Sequence, residues 1–130
     1  MFIITREIDY SLVFLSYLVK HKGLVSLSKV NRKTKIPLRF LAKIASTLAR
    51  NDLIESKEGK KGGYRIKDKV FNKVLYDYFK IFKKDLNFLP CNQKICQCKK
   101  SCQHRKKFQE KIEKKFFEML KIIKVKEIIL

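Results

Sequence analysis

This sequence is short of chain breakers, acids and imidazoles, and each shortage narrows what it can be. Two prolines and four glycines in 130 residues leave little room for long irregular segments. With 45% of residues hydrophobic, extended disorder is excluded in favour of a mostly helical domain with a modest core. The only histidines are His21 and His104, and neither joins a nucleophile–base arrangement or a phosphate-loop sequence, so no enzyme is expected. No apolar run approaches the ~18 residues of a membrane span, and Met1-Phe2-Ile3-Ile4 is too short for a signal-peptide core. The chain is therefore expected in the cytoplasm, without membrane contact. Asp and Glu number 12 against 32 Lys and Arg, a formal net charge of +20. Such an excess attracts polyanions, and nucleic acid is the first candidate. A merely lysine-rich solvated surface would have the same composition, so the position of the charges has to decide.

Taken in order, the chain opens with a helix capped by Thr5, carrying Ile8, Leu12, Leu15 and Val19 on one stripe beside Phe14 and Leu18, and closed near His21-Lys22-Gly23 by the glycine. Asp9 falls in its first turn, where a carboxylate also suits the helix dipole. Ser26 can cap a brief second helix with Leu27 and Val30, followed by a turn at Lys33-Thr34-Lys35-Ile36. Pro37 opens a third, since proline is tolerated in a first helical turn. Up to Arg50 this helix divides into an apolar face of Leu38, Leu41, Ala45 and Leu48 and a polar face of Arg39, Lys43, Ser46 and Arg50. Two short helices joined by a tight turn, the second with a basic face, are what a helix-turn-helix requires.

Leu53-Ile54-Glu55-Ser56 reads as a strand and Tyr64-Arg65-Ile66 as its return. Three of the four glycines lie between them, in Glu58-Gly59-Lys60-Lys61-Gly62-Gly63. That is a β-hairpin wing with Lys60 and Lys61 at its tip and with Gly62 and Gly63 allowing close approach to a DNA backbone. A fourth helix is expected from about Asn72, with Val74, Leu75, Tyr78, Phe79 and Phe82 at helical spacing. A long C-terminal helix follows, with Phe108, Ile112, Phe116, Met119, Leu120 and Ile123 on one face and Glu110 and Glu113 on others. Its apolar stripe has little head left to cover it and invites pairing with a second copy. Val125 to Leu130 should fold back as a short last segment.

Between these helices lies Cys91-Asn92-Gln93-Lys94-Ile95-Cys96-Gln97-Cys98-Lys99-Lys100-Ser101-Cys102-Gln103-His104, which holds every cysteine in the chain. Clustered thiols in a reducing compartment point to metal ligation or redox sensing ahead of structural disulfides. The fold expected is mainly α with a small β wing: a winged helix-turn-helix over residues 1–68, a connecting helix over 69–88, a cysteine loop over 89–104, and a dimerisation helix with its tail over 105–130.

In these parts the sequence resembles the IscR/NsrR family of bacterial winged-helix regulators, whose members sense iron-sulfur status, nitric oxide or cysteine supply. The likeness rests on Asp9-Tyr10-Ser11-Leu12, on Ile36-Pro37-Leu38-Arg39-Phe40-Leu41 with Leu48 and Asn51-Asp52-Leu53-Ile54, on Gly62-Gly63-Tyr64, and on the cysteine loop before a long helix. It implies a homodimer on a double-stranded DNA operator, probed at Arg39, Phe40 and Lys43, acting as a repressor. It also implies an iron-sulfur cluster, four-iron by preference with two-iron as the other form, on Cys91, Cys96 and Cys102 with Asp9 as the oxygen ligand. Cys98 can stand in for Cys96, and either His104 or, in an all-cysteine site, Cys98 can take the place of Asp9. Where relatives often carry arginine before the wing glycines, this chain has Glu58, which shifts that contact to Lys60 or Lys61. The rival readings are zinc held by the four cysteines, a metal-free thiol sensor, an electron carrier, and a structural RNA-binding protein.

Overall fold

The computed structural model describes residues 4–83, 86 and 103–130, with the backbone alone for 103–105. The first helix, α1 (Arg6–Lys20), starts where Thr5 accepts the Ile8 amide on its hydroxyl, satisfying one of the four orphan donors of a helix start. Its buried residues are Ile8, Ser11, Phe14, Leu15 and Leu18. The stripe is thus turned from the expected one, leaving Leu12 and Val19 half-buried. The reason is Ser11, a polar residue on the inward face, whose hydroxyl donates to the Ile8 carbonyl and accepts from Tyr78. The helix ends on His21 rather than on the glycine: the His21 N–H bonds the Leu18 carbonyl, and Gly23, at φ +83°, makes the turn two residues later.

The second helix, α2 (Leu27–Thr34), is capped by Ser26 as expected and ends at Lys35 in the left-handed region, φ 65°. The turn into α3 (Leu38–Arg50) is held from both sides. Asn31 Nδ2 donates to the Ile36 carbonyl at 2.7 Å, and the Thr34 hydroxyl accepts the Ile36 amide. In α3 the inward face is Leu41, Ile44, Ala45 and Leu48. Leu38, expected inside, is 48% exposed because the first turn runs past the seam that begins at Leu41.

The wing is an antiparallel pair, β1 (Ile54–Lys57) and β2 (Gly63–Ile66), in the register Ile54 to Ile66 and Lys57 to Gly63. Val25, just before α2, adds a bridge to Tyr64 through two backbone bonds of 2.9 and 2.8 Å, so the wing is tied to the helix-turn-helix. A 3₁₀ turn (Asp68–Val70) leads to α4 (Leu75–Phe82). This helix begins three residues later than its aromatic stripe suggested, because Val74 is extended and bridges Lys124.

Beyond the cysteine stretch the chain continues through α5 (Gln103–Phe108), a π-helical turn (Gln109–Glu113) and α6 (Lys114–Leu120). The i→i+5 bonding of a π turn changes the helical phase. It brings Glu113, expected on a polar face, to a buried position, while Ile112 and Met119, of the stripe expected to lie uncovered by the head, are exposed. A last helix, α7 (Lys126–Ile129), packs on α1. Leu120, Val125 and Ile129 thereby join one hydrophobic core with α1, α3, β1 and α4. Ile112, Met119, Ile122 and Ile128 are left facing outward. Among the described residues no helix is long and apolar enough to cross a membrane.

Candidate nucleic-acid interface

The side chains of Arg39, Lys43, Ser46 and Arg50 are all exposed on the outer face of α3. Their spacing of three and four residues places them along one side of the helix. Phe40 is half-buried: its ring meets Tyr10 of α1 edge-on at 5.7 Å between centroids, and the Arg39 guanidinium lies 5.4 Å above it. Lys43 stands 3.9 Å from the Glu7 carboxylate, also on α1. The Thr47 hydroxyl donates back to the Lys43 carbonyl at 3.0 Å, which fixes the middle of the helix without using the outer face. Sequence alone assigns Glu7, in the first turn of α1, and Tyr10 no role at this face, since nothing in their spacing shows that α1 crosses α3 here.

At the wing, Lys60 and Lys61 are exposed at the tip, and the turn is closed by the Gly62 amide donating to the Gly59 carbonyl at 3.0 Å. Gly62 and Gly63 have a structural reason of their own. A Cβ on Gly63 would lie 2.5 Å from the Val25 carbonyl oxygen at φ +150°, and one on Gly62 would collide with the Lys57 carbonyl. Both glycines therefore permit the wing to close on its neighbours. Cross-strand, Arg65 donates to Glu55 at 2.9 Å, and this hydrogen bond, with the guanidinium charge, holds the Glu55 carboxyl below the usual range. Asp52, left-handed at φ 62°, is likewise lowered by its hydrogen bond to Lys67 and by the nearby charge. These pairs neutralise cations at the wing base and leave those at its tip free for a polyanion.

Three further cations, Lys29, Arg32 and Lys33, line a shallow cleft on α2 that the sequence reading passed over; only the exposed polar side of a short helix could have signalled it.

Asp9 is exposed in the first turn of α1, its amide bonded to the Thr5 carbonyl at 3.0 Å. Cys91, Cys96, Cys98 and Cys102 and the side chain of His104 lie outside the described residues. Among the described residues no group of three or more His, Cys, Asp or Glu side chains could hold a metal ion.

A family model described as iron-dependent transcriptional regulator, Rrf2, matches residues 4–130. The chain belongs to the Rrf2 family. That family is one of transcriptional regulators, and this chain has a winged-helix fold, in which the outer face of α3 and the wing are the parts offered to DNA. A protein of Aquifex aeolicus (strain VF5) described as an HTH-type transcriptional regulator is 27% identical over 81 residues, 62% of this chain and 56% of that protein; the match thus spans little more than half of the relative's length. Among solved structures, CymR, the global cysteine regulator of B. subtilis, superposes with a TM-score of 0.74 at 18% identity, covering 98% of this chain and 95% of that one. T. potens IscR gives 0.67 at 20% identity over 93% of this chain and 81% of its own. At such identities the likeness is one of fold.

Proposed function

We propose that this Rrf2 regulator binds a double-stranded operator as a homodimer and that an iron-sulfur cluster on Cys91, Cys96, Cys102 and Asp9 sets its affinity, reporting nitric oxide, redox or iron-sulfur status. The observation that carries this reading is the position of Asp9. Its carboxylate is exposed, available to a loop of another subunit, and it shares one helical turn with Glu7 and Tyr10, which touch α3.

The donor set suits the group. Thiolates are the usual ligands of iron-sulfur clusters, and a single oxygen ligand leaves one iron more open to small oxidants. Bound there, the cluster would supply a redox- and nitric-oxide-sensitive centre. The protein's own part is mechanical. Asp9, held in place, fixes the first turn of α1, and that turn supports Phe40 and Lys43 on the reading helix. A change at the cysteines then alters DNA affinity because the two states hold α1, and hence α3, differently. The exposed Ile112, Met119, Ile122 and Ile128 favour a second copy as the cover for the C-terminal helices.

Asp9→Ala tests the ligand set. It should fold normally, shown by an unchanged melting temperature, yet yield an anaerobically purified protein with a shifted visible spectrum and a shorter cluster lifetime. An unaltered spectrum and lifetime would remove Asp9 from the set, leaving His104 or Cys98. Competition between duplex DNA and RNA at fixed salt separates operator binding from a structural RNA role.

A further inference from the structure

We infer that Glu7 and Tyr10, neither of them on the reading helix, determine sequence specificity by positioning the side chains that are. The inference rests on α3 being the element that reads DNA. It draws on three contacts at the crossing of α1 and α3: Tyr10 edge-on to Phe40, Arg39 over the Phe40 ring, and Lys43 beside Glu7.

Arginine and lysine discriminate bases only when their donors meet base acceptors in a fixed geometry. Both are long side chains with much rotamer freedom to lose, so what holds them before contact matters. Arg39 has a platform. Its guanidinium lies 5.4 Å above the Phe40 ring, in the range of a cation–π attraction. That ring is itself held, since its edge-on contact with Tyr10 at 5.7 Å and 82° has a preferred aromatic geometry. Tyr10 thus orients Arg39 through Phe40.

Lys43 has a different anchor. Its side chain is 70% exposed, whereas that of Glu7 is only 24% exposed: the carboxylate is held against the protein and the ammonium reaches over to it. An ion pair this exposed adds little to stability. Its consequence lies at the DNA surface. With Glu7 present, Lys43 is partly neutralised and a negative charge stands close to any phosphate approaching this part of α3. Non-specific binding, which is mostly cation–phosphate attraction, is thereby weakened. A base acceptor that satisfies Lys43 in the groove offsets the loss only at the right sequence, and discrimination of this kind comes from penalising the wrong partner.

Glu7 and Tyr10 are three residues apart and lie on the same side of α1, so one turn of one helix serves both Arg39 and Lys43. Neither residue needs to touch DNA.

The test is selection from a randomised duplex pool by the full-length chain, compared for wild type, Tyr10→Leu, Tyr10→Phe and Glu7→Gln, each checked by thermal melting. Tyr10→Leu should lower discrimination at the base pair read by Arg39 by at least about fivefold, the low end of one good base contact. Tyr10→Phe, which keeps the aromatic edge, should restore the wild-type preference. Glu7→Gln should bind non-operator duplex more tightly, steepen the salt dependence by about 0.9 in log–log slope, and narrow the gap between operator and non-operator affinity. If Tyr10→Leu and Glu7→Gln select the same sequences with the same weights as wild type, the inference is overturned. Arg39→Ala and Lys43→Ala serve as the control for the reading beneath it. Should those two also leave selection unchanged, α3 does not read DNA and the fault lies there; should they alter it while the α1 variants do not, only the role of Glu7 and Tyr10 falls.

Discussion

Tyr78 donates a 2.7 Å hydrogen bond to the Ser11 hydroxyl in the core, joining α4, the last helix described ahead of the cysteine stretch, to the helix that carries Asp9. Ser11 in turn donates to the Ile8 carbonyl at 2.6 Å, so each hydroxyl is satisfied only with the other present or with a carbonyl in reserve. The two truncations should therefore differ. Ser11→Ala strands a buried phenol and should cost about 1–3 kcal/mol, whereas Tyr78→Phe leaves Ser11 its carbonyl and should cost about 0.5–1.5 kcal/mol. Adding Tyr78→Phe to Ser11→Ala should recover part of the loss. Urea denaturation measures all three, and a costlier Tyr78→Phe would contradict the arrangement.

The same pair sets an alkaline limit. Burial pushes the Tyr78 phenol above its ordinary value of 10.0, so the folded state keeps a proton that the unfolded state releases. The stability this represents is fully present below pH 10 and is lost as pH rises beyond it, by at most about 1.4 kcal/mol per pH unit. Tyr78→Phe should flatten that limb in a series of denaturation curves. An equally steep decline in the variant would place its source elsewhere.

Gly63 and Gly59 both have positive φ, but only Gly63 is crowded, by the Val25 carbonyl and the Ser26 amide. Gly59→Ala should then cost about 1–2 kcal/mol from backbone strain alone. Gly63→Ala should cost more, since it also forces apart the bridge between Val25 and Tyr64. It should weaken DNA binding through the displaced wing, measurable by melting temperature together with duplex affinity.

On DNA the two groups of cations should separate by their salt behaviour. Arg39→Ala is expected to cost about 1–3 kcal/mol on the selected operator and little on other duplexes. Lys60→Ala and Lys61→Ala should weaken every duplex alike and lower the log–log salt slope by about 0.9 each. Binding isotherms across a salt series distinguish base contact from phosphate contact.

Much of the fold was legible because its signals are local. Thr5 and Ser26 as caps, Pro37 at the third helix, and three glycines between two short strands each need only their neighbours to be read. What escaped depends on residues far apart in the chain. A serine on the buried side of α1 makes sense only once Tyr78 reaches it. Leu38 is exposed because of where α3 crosses the domain. The π turn that sends Glu113 inward leaves no mark on a helical wheel of ordinary period. On the reading face the cations of α3 were visible from their own spacing, whereas their supports, Glu7 and Tyr10, belong to a helix that lies far upstream in the chain.

The central claim, that a cluster on the cysteine stretch governs DNA affinity, is tested most directly by one comparison. The chain is purified anaerobically, its iron and sulfide are quantified, and its affinity for the selected operator is measured at one salt concentration before and after the cluster is removed. The account predicts a brown protein containing iron and sulfide whose two states differ in operator affinity by about tenfold or more, within the usual range of coupling between sites. A colourless protein loaded with zinc, or a brown one that binds the operator equally well in both states, would contradict it.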